Sequence, residues 1–296
     1  MKTFDCAPTM TDREVLDFCK RGFVVLPGVV PDEINRRTYE FLRVHREHLV
    51  NVHHEEWFVK NVILNPAVTG VARSLLGRNF GLPNRFGNHR SVGTRPPQNW
   101  HVDGEQVMPP ELPGLLTFHY PQEVTLEMGP TELLPGSHHL RSLGVYMDHY
   151  DRIRGTYLGI IPAGSVIMMA QRTWHRRSAA TAPPDSERNM LMYDYWRTTP
   201  PKRDWIIEPN FDLATADYLT NRIGQQATPS FRPQFRDTID NAEMFFWLSG
   251  RASDFGYLGG MCWPLSASNH NFRDEPAGYP PETAAPWRRR AGSGSD

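Results

Sequence analysis

Asn99-Trp100-His101-Val102-Asp103-Gly104 is the stretch from which the rest of the chain can be read. In an extended segment, residues i and i+2 project from the same face. An imidazole nitrogen of His101 and a carboxylate oxygen of Asp103 then converge on one point, where a metal ion can sit. A second histidine from elsewhere would complete a two-histidine, one-carboxylate face and leave the far side of the metal open. Alone, His-x-Asp arises often by chance. The flanking sequence must therefore supply a third ligand, a scaffold and an occupant for the open side.

Immediately around this stretch, from about 79 to 197, short β-prone runs alternate with Gly, Pro and Asn turns. Residues 115–120, 131–134, 157–161, 165–169 and 189–196 read as strands. The turns between them include Pro135-Gly136-Ser137-His138 and Pro162-Ala163-Gly164. Many short strands at close spacing predict a barrel or sandwich. Further out, the texture is helical. Thr11-Asp12-Arg13-Glu14 is a capping box opening an apolar face of Val15, Leu16, Phe18 and Cys19, which Gly22 stops. Phe23-Val24-Val25-Leu26 is a short strand, and helices are expected over roughly 31–50 and 66–76, the latter ended by Gly77. Beyond 200, residues 212–225 and 232–249 read as partly helical, and from 266 the chain is an irregular tail rich in Pro, Gly, Ser and Arg. No repeat or linker divides the 296 residues. The expectation is one domain: a mostly helical part at 11–78, a β core at 79–197, a helical and loop part at 198–265, and the tail at 266–296.

The chain carries 32 basic and 33 acidic residues. That balance argues against a general nucleic-acid or membrane-surface binder. Cys6, Cys19 and Cys262 form no CxxC and no zinc-finger spacing, and such a sparse, odd set suits a reducing compartment. Met1-Lys2-Thr3-Phe4-Asp5 has no apolar signal core, and no run approaches the ~18 apolar residues that span a bilayer. The expected location is cytoplasmic.

Two further residues complete the pattern. After the run at 165–169 come Ala170-Gln171-Arg172-Thr173-Trp174-His175, and a histidine closing a buried-type strand can point into a barrel. Arg188 opens the run Asn189-Met190-Leu191-Met192-Tyr193. An arginine entering an apolar strand needs a partner, because unpaired buried charge is costly. Its planar fork suits a carboxylate. A dicarboxylate co-substrate would meet that need, with one end on the metal and the other on Arg188.

Taken in order, these segments resemble the phytanoyl-CoA dioxygenase family of Fe(II)- and 2-oxoglutarate-dependent oxygenases. The resemblance covers about 11–197. Glu14-Val15-Leu16-Asp17-Phe18 and Arg21-Gly22-Phe23-Val24-Val25-Leu26-Pro27-Gly28 are similar to the family's opening helix and strand. Trp100-His101-Val102-Asp103 is similar to its first two iron ligands. Met128-Gly129-Pro130-Thr131 with Leu134-Pro135-Gly136-Ser137-His138 resembles its Gly-Pro and Pro-Gly-Ser-His signature. Pro162 to His175 resembles the strand bearing its distal ligand.

The resemblance implies a mainly β fold with flanking helices, built on a double-stranded β-helix (jelly-roll, cupin-like) core. It implies that His101, Asp103 and His175 hold Fe(II), that Arg188 binds 2-oxoglutarate, and that Asn88 and Thr131 contact the co-substrate. O2 is the second co-substrate; succinate and CO2 are the co-products. The chain departs from the pattern just after the distal histidine, where Arg176-Arg177-Ser178 stands in place of an early Ser or Gly. Halogenating relatives lack the carboxylate that Asp103 supplies, so oxidation of carbon, most simply hydroxylation, is the implied outcome. The aromatic-rich, near-neutral chain points to a small organic substrate, and 104–114 and 200–265 are candidate lid segments. Two other classes use the same residues: a zinc hydrolase, since two histidines and a carboxylate also make a catalytic zinc site, and a non-catalytic barrel that binds a small molecule.

Overall fold

The computed structural model of the chain describes residues 1–103, 109–140, 150–213, 216 and 236–252. Strands β1 (Thr3–Phe4), β2 (Phe23–Leu26), β3 (Phe80–Gly81), β4 (Gly87–Asn88), β5 (Ser91–Val92), β6 (Gly114–Tyr120) and β7 (Thr131–Leu133) are followed by β8 (Tyr157–Leu158), β9 (Ser165–Ala170), β10 (His175–Arg177), β11 (Glu187–Arg188) and β12 (Leu191–Trp196). The helices are α1 (Asp12–Arg21), α2 (Asp32–Val44), the single turn α3 (Glu56–Phe58), α4 (Pro66–Leu76) and α5 (Arg236–Leu248). The chain is thus mainly β with flanking helices, and every strand pair is antiparallel.

The largest sheet has seven strands in the order β1-β3-β12-β6-β9-β2, with β4 also on β12; β10-β7-β8 and β11-β5 form two smaller sheets. Its central strands, β6 and β9, are buried along their whole length because both faces are covered. The alternation of strand side chains divides them between two cores. Leu115, Val166, Met168, Ala170, Leu191, Tyr193 and Tyr195 pack with the helices. Leu116, Phe118, Tyr120, Ile167 and Met169 pack instead with Leu133 of β7, Val124 and Ile161. The second face is the one that matters for function, because β7 continues into pairing with β10.

The N-terminal helix forms as its local sequence dictates. Thr11 accepts from the Glu14 amide while Glu14 reaches back to the Thr11 amide, and Gly22 closes the helix at φ +80°. A buried carboxylate then ties α1 to the chain beyond the sheet. Asp12, fully buried, accepts two bonds from Arg203 (2.8 and 2.7 Å), one from the Trp205 indole (2.8 Å) and one from the Glu208 amide (2.7 Å). Four donors on one carboxylate offset the cost of burying its charge.

Several boundaries differ from the sequence expectation. The second helix stops at Val44, short of 50. Its apolar period continues through Leu49, but the backbone there is drawn into β contacts: Leu49 bridges Gly87, Val50 donates to the Phe86 carbonyl (3.0 Å) and Asn88 donates to the His48 carbonyl (2.7 Å). A π-helical turn at Val59–Ile63 leads toward α4 where none was expected. Within the mostly helical N-terminal part, β2 forms an edge of the main sheet on β9. The expected helix at 232–249 is present as α5. Most of the region expected to be helical at 212–225, the tail from 266, and much of the two candidate lid segments lie outside the described residues. Among the described residues no helix is long and apolar enough to cross a membrane.

Candidate metal centre

The stretch ahead of Asp103 runs antiparallel to the chain through β10. The Gln98 amide donates to the Arg177 carbonyl (2.9 Å), His101 and His175 exchange both backbone bonds (3.1 and 3.0 Å), and the Asp103 amide donates to the Gln171 carbonyl (3.3 Å). That pairing brings His175 against His101, and the i, i+2 relation adds Asp103. One donor atom from each of the three side chains lies within 4.8 Å of the other two. His175 Nε2 and Asp103 Oδ2 are 3.2 Å apart. Two adjacent ligands at metal bonds of ~2.1 Å sit roughly 3 Å apart, so this spacing fits one ion shared between them.

The tautomers are set as a metal requires. His101 Nδ1 lies 2.9 Å from the Asn99 carbonyl and His175 Nδ1 lies 2.9 Å from the Thr173 carbonyl. A carbonyl only accepts, so each Nδ1 carries a proton, and Nε2 is the nitrogen left to face the ion. Burial, with the neighbouring His175, holds the His101 imidazole below its ordinary range. Burial alone would raise the Asp103 carboxyl, but the adjoining His175 and His101 bring it below the usual carboxylate range. Two imidazoles and one carboxylate, their donor atoms close together, form a set suited to a divalent cation.

The triad opens on a cavity of about 520 Å³ including its mouth, lined among others by His89, Ser91, Phe118, Thr131, Arg177, Arg188 and Met190. Side chains of all three sheets meet here. Arg188, on β11 opposite Ser91, is 3% exposed, and its Nε and Nη1 have no hydrogen-bond partner. Glu187, its neighbour, is not its counter-ion; that carboxylate pairs with Arg90 at 2.6 Å. A buried guanidinium with orphaned donors beside this triad has the geometry to receive a carboxylate. Burial accordingly pushes the Arg188 guanidinium below its ordinary range.

The remaining sequence-predicted residues fall as follows. Thr131 lines the cavity, and its hydroxyl is 2.6 Å from the Tyr120 hydroxyl. Asn88 is buried but is not among the cavity residues; its amide donates to Asn189 Oδ1 (3.0 Å) while its own Oδ1 has no partner. The Pro135–His139 turn packs on α1, with Gly136 donating to the Arg21 carbonyl (3.0 Å) and His139 Nε2 2.9 Å from the Cys19 carbonyl. His89 is in the cavity, its Nε2 unpartnered, and burial followed by the nearby His48 pushes its imidazole down to about 4. Arg177 and Gln98 also line the cavity and were not foreseen. The available signal was Arg177's i+2 spacing from His175.

No family model matches the sequence. The fold is similar to that of HygX from Streptomyces hygroscopicus, at a TM-score of 0.52 and 14% identity over 67% of this chain and 90% of that one. It is similar to the non-heme alpha-ketoglutarate-dependent epimerase SnoN from nogalamycin biosynthesis, at a TM-score of 0.51 and 17% identity over 64% and 83%. Iron-bound EctD from S. alaskensis gives a TM-score of 0.53 at 18% identity over 65% and 78%. Identities this low define a shared fold.

Proposed function

We propose that the chain is a non-haem Fe(II)- and 2-oxoglutarate-dependent dioxygenase that oxidises, most simply hydroxylates, a small organic metabolite. The observation that carries this reading is the conjunction of two features in one cavity: three donor atoms within 4.8 Å and a buried arginine with two unpartnered N–H groups. HygX has also been solved with iron bound and with nickel and 2-oxoglutarate bound, which supports the same pairing on a double-stranded β-helix core. The sparse cysteines suit a cytoplasmic location.

In this reading His101, Asp103 and His175 would hold the iron, and Arg188 would pair with a carboxylate of 2-oxoglutarate. When bound, iron and 2-oxoglutarate supply the oxidation, releasing succinate and CO2. The chain's own work is positioning. The Asn99 and Thr173 carbonyls fix the two imidazoles. Thr131, on the strand paired with β10, offers a hydroxyl beside the co-substrate. Phe118, Met190 and Met192 give the cavity an apolar wall that excludes water and strengthens the ion pair with Arg188. Asp103 would supply a carboxylate ligand, and on the resemblance that ligand favours an oxidised carbon as the outcome.

A zinc hydrolase would take the same three ligands but leaves the Arg188 donors without a partner. Anaerobic calorimetry separates the two. 2-Oxoglutarate should bind only when Fe(II) or Ni(II) is present, and His101→Ala should abolish that metal-dependent binding. Binding of zinc without any metal-dependent uptake of 2-oxoglutarate would contradict the proposal.

A further inference from the structure

Among the described residues four arginines line the cavity: Arg90, Arg176, Arg177 and Arg188. Two are neutralised by protein, Arg90 by Glu187 at 2.6 Å and Arg176 by Glu132 at 2.7 Å. Arg188 is accounted for by the co-substrate. Arg177 is left. It sits on the same strand as His175, two residues on, so both side chains leave the strand on one face and both line the cavity. Its Nη1 donates to the Ser178 carbonyl (3.0 Å) and its Nη2 to the Pro96 carbonyl (2.7 Å). Neutral carbonyls fix a guanidinium in place without cancelling its charge. Two of its five N–H groups are thereby used, and no carboxylate among the described residues takes the others. Arg95 and Arg188 are close enough to act on it as like charges, so the positive potential at this wall is reinforced.

The charge balance of the site isolates Arg177 further. In the oxygenase reading, the two positive charges of Fe(II) and the one of Arg188 are matched by Asp103 and the two carboxylates of 2-oxoglutarate. The loaded centre is then neutral, and Arg177 remains as an uncompensated cation on the cavity wall. Keeping such a charge half-buried is unfavourable unless an anion arrives to pair with it.

We propose that Arg177 is the substrate-anchoring residue and that the substrate carries a carboxylate, which the Arg177 guanidinium binds while the carbon to be oxidised faces the metal. The inference rests on the oxygenase reading and gives that site its substrate class.

The test uses the full chain loaded with Ni(II), which occupies the site without turnover. The first measurement is calorimetric titration with 2-oxoglutarate. Arg188→Gln should weaken binding by about ten- to a hundredfold, the worth of a charge-assisted pair, while Arg177→Gln should keep the wild-type affinity. An equal loss in Arg177→Gln would make it part of the co-substrate clamp and overturn the proposal. Failure of the wild type to bind 2-oxoglutarate at all would instead sink the oxygenase reading, and this inference with it.

The second measurement is the melting temperature of the Ni(II)- and 2-oxoglutarate-loaded protein against small metabolites supplied as matched carboxylic acids and primary amides. Acids should raise it above their amides in the wild type. Arg177→Gln should erase that difference, and Arg177→Lys, which keeps the charge without the planar fork, should retain part of it. If no acid outperforms its amide, or if the difference survives in Arg177→Gln, the substrate carboxylate is not held here.

Discussion

His101 and His175 hold each other by their backbones, each amide donating to the other's carbonyl at 3.1 and 3.0 Å. Each imidazole is then turned by the same device, its Nδ1 2.9 Å from the carbonyl two residues before it. The two side chains therefore share position, orientation and tautomer before any metal arrives. Preset ligands lose little freedom on binding, which is where much of the affinity of such a site originates.

Removing one of these rings removes a ligand while the backbone pairing that places it can remain. His175→Ala should weaken Fe(II) or Ni(II) binding by more than the ~10–100-fold that loss of an outer partner costs. Competitive metal titration checks this, and an affinity equal to that of the wild type would exclude His175 from the site.

Arg188 makes a prediction with two opposite signs. Its Nε and Nη1 are buried without partners, so in the absence of co-substrate the guanidinium destabilises the fold. Arg188→Met should raise the melting temperature of the metal-free protein, since an apolar side chain of similar length removes unpaired buried donors that cost about 1–3 kcal/mol. The same variant should lose 2-oxoglutarate binding. A lower melting temperature would assign Arg188 a structural partner and not a co-substrate.

Gly22 links the end of α1 to the metal strand. At φ +80° it is in the left-handed region, and a Cβ there would come within 2.4 Å of His138 Nδ1 and 2.8 Å of Thr173 Oγ1. Thr173 donates its hydroxyl to the Gly22 carbonyl (3.1 Å) and its own carbonyl orients His175. Gly22→Ala should cost at least the ~1–2 kcal/mol of a left-handed alanine and also loosen metal binding through Thr173. Urea midpoints and the metal titration report the two effects. An unchanged midpoint would mean the segment gives way freely.

Stability should fall in mild acid. Burial pushes the fully buried His119 imidazole down to about 3, against an ordinary 6.5. Between those values only the unfolded chain binds this proton, so stability rises with pH across the window and is lost as pH falls from 6.5 toward 3. The slope is about 1.4 kcal/mol per pH unit for such a group. Asp12 adds a second loss at lower pH. Burial alone would raise its carboxyl, but bonds from Arg203, the Glu208 amide and Trp205 bring it below its ordinary value. Its contribution is present above the unfolded value and disappears as pH drops through the folded one. Denaturant titrations at pH 7, 5.5 and 4.5 on wild type and His119→Leu should give a flatter acid limb for the variant; parallel limbs would remove His119 as a cause.

What the sequence made legible was local or came from pattern. The Thr11 and Glu14 box, the apolar runs of β6, β9 and β12, and the shared face of His101 and Asp103 each follow from a few neighbouring residues. Arg188 was legible because a charge in an apolar strand demands a partner. The stop of α2 at Val44 was not, because tertiary pairing of Leu49 and Val50 with the Gly87 region overrides a helical period that continues past it. The register that sets His101 against His175 was beyond reach for the same reason: no local signal fixes a pairing between such distant segments. Arg177 was visible as a departure after the distal histidine, yet its meaning depended on finding Glu132 and Glu187 committed to other arginines.

The most direct test of the central claim is succinate formation and O2 uptake by the Fe(II)-loaded chain supplied with 2-oxoglutarate and candidate metabolites. The account predicts succinate appearing in step with O2 consumption, stimulated by the true substrate and abolished by His101→Ala and by Arg188→Met. Succinate formation that survives His101→Ala, or no iron-dependent turnover of 2-oxoglutarate with any metabolite, would contradict it.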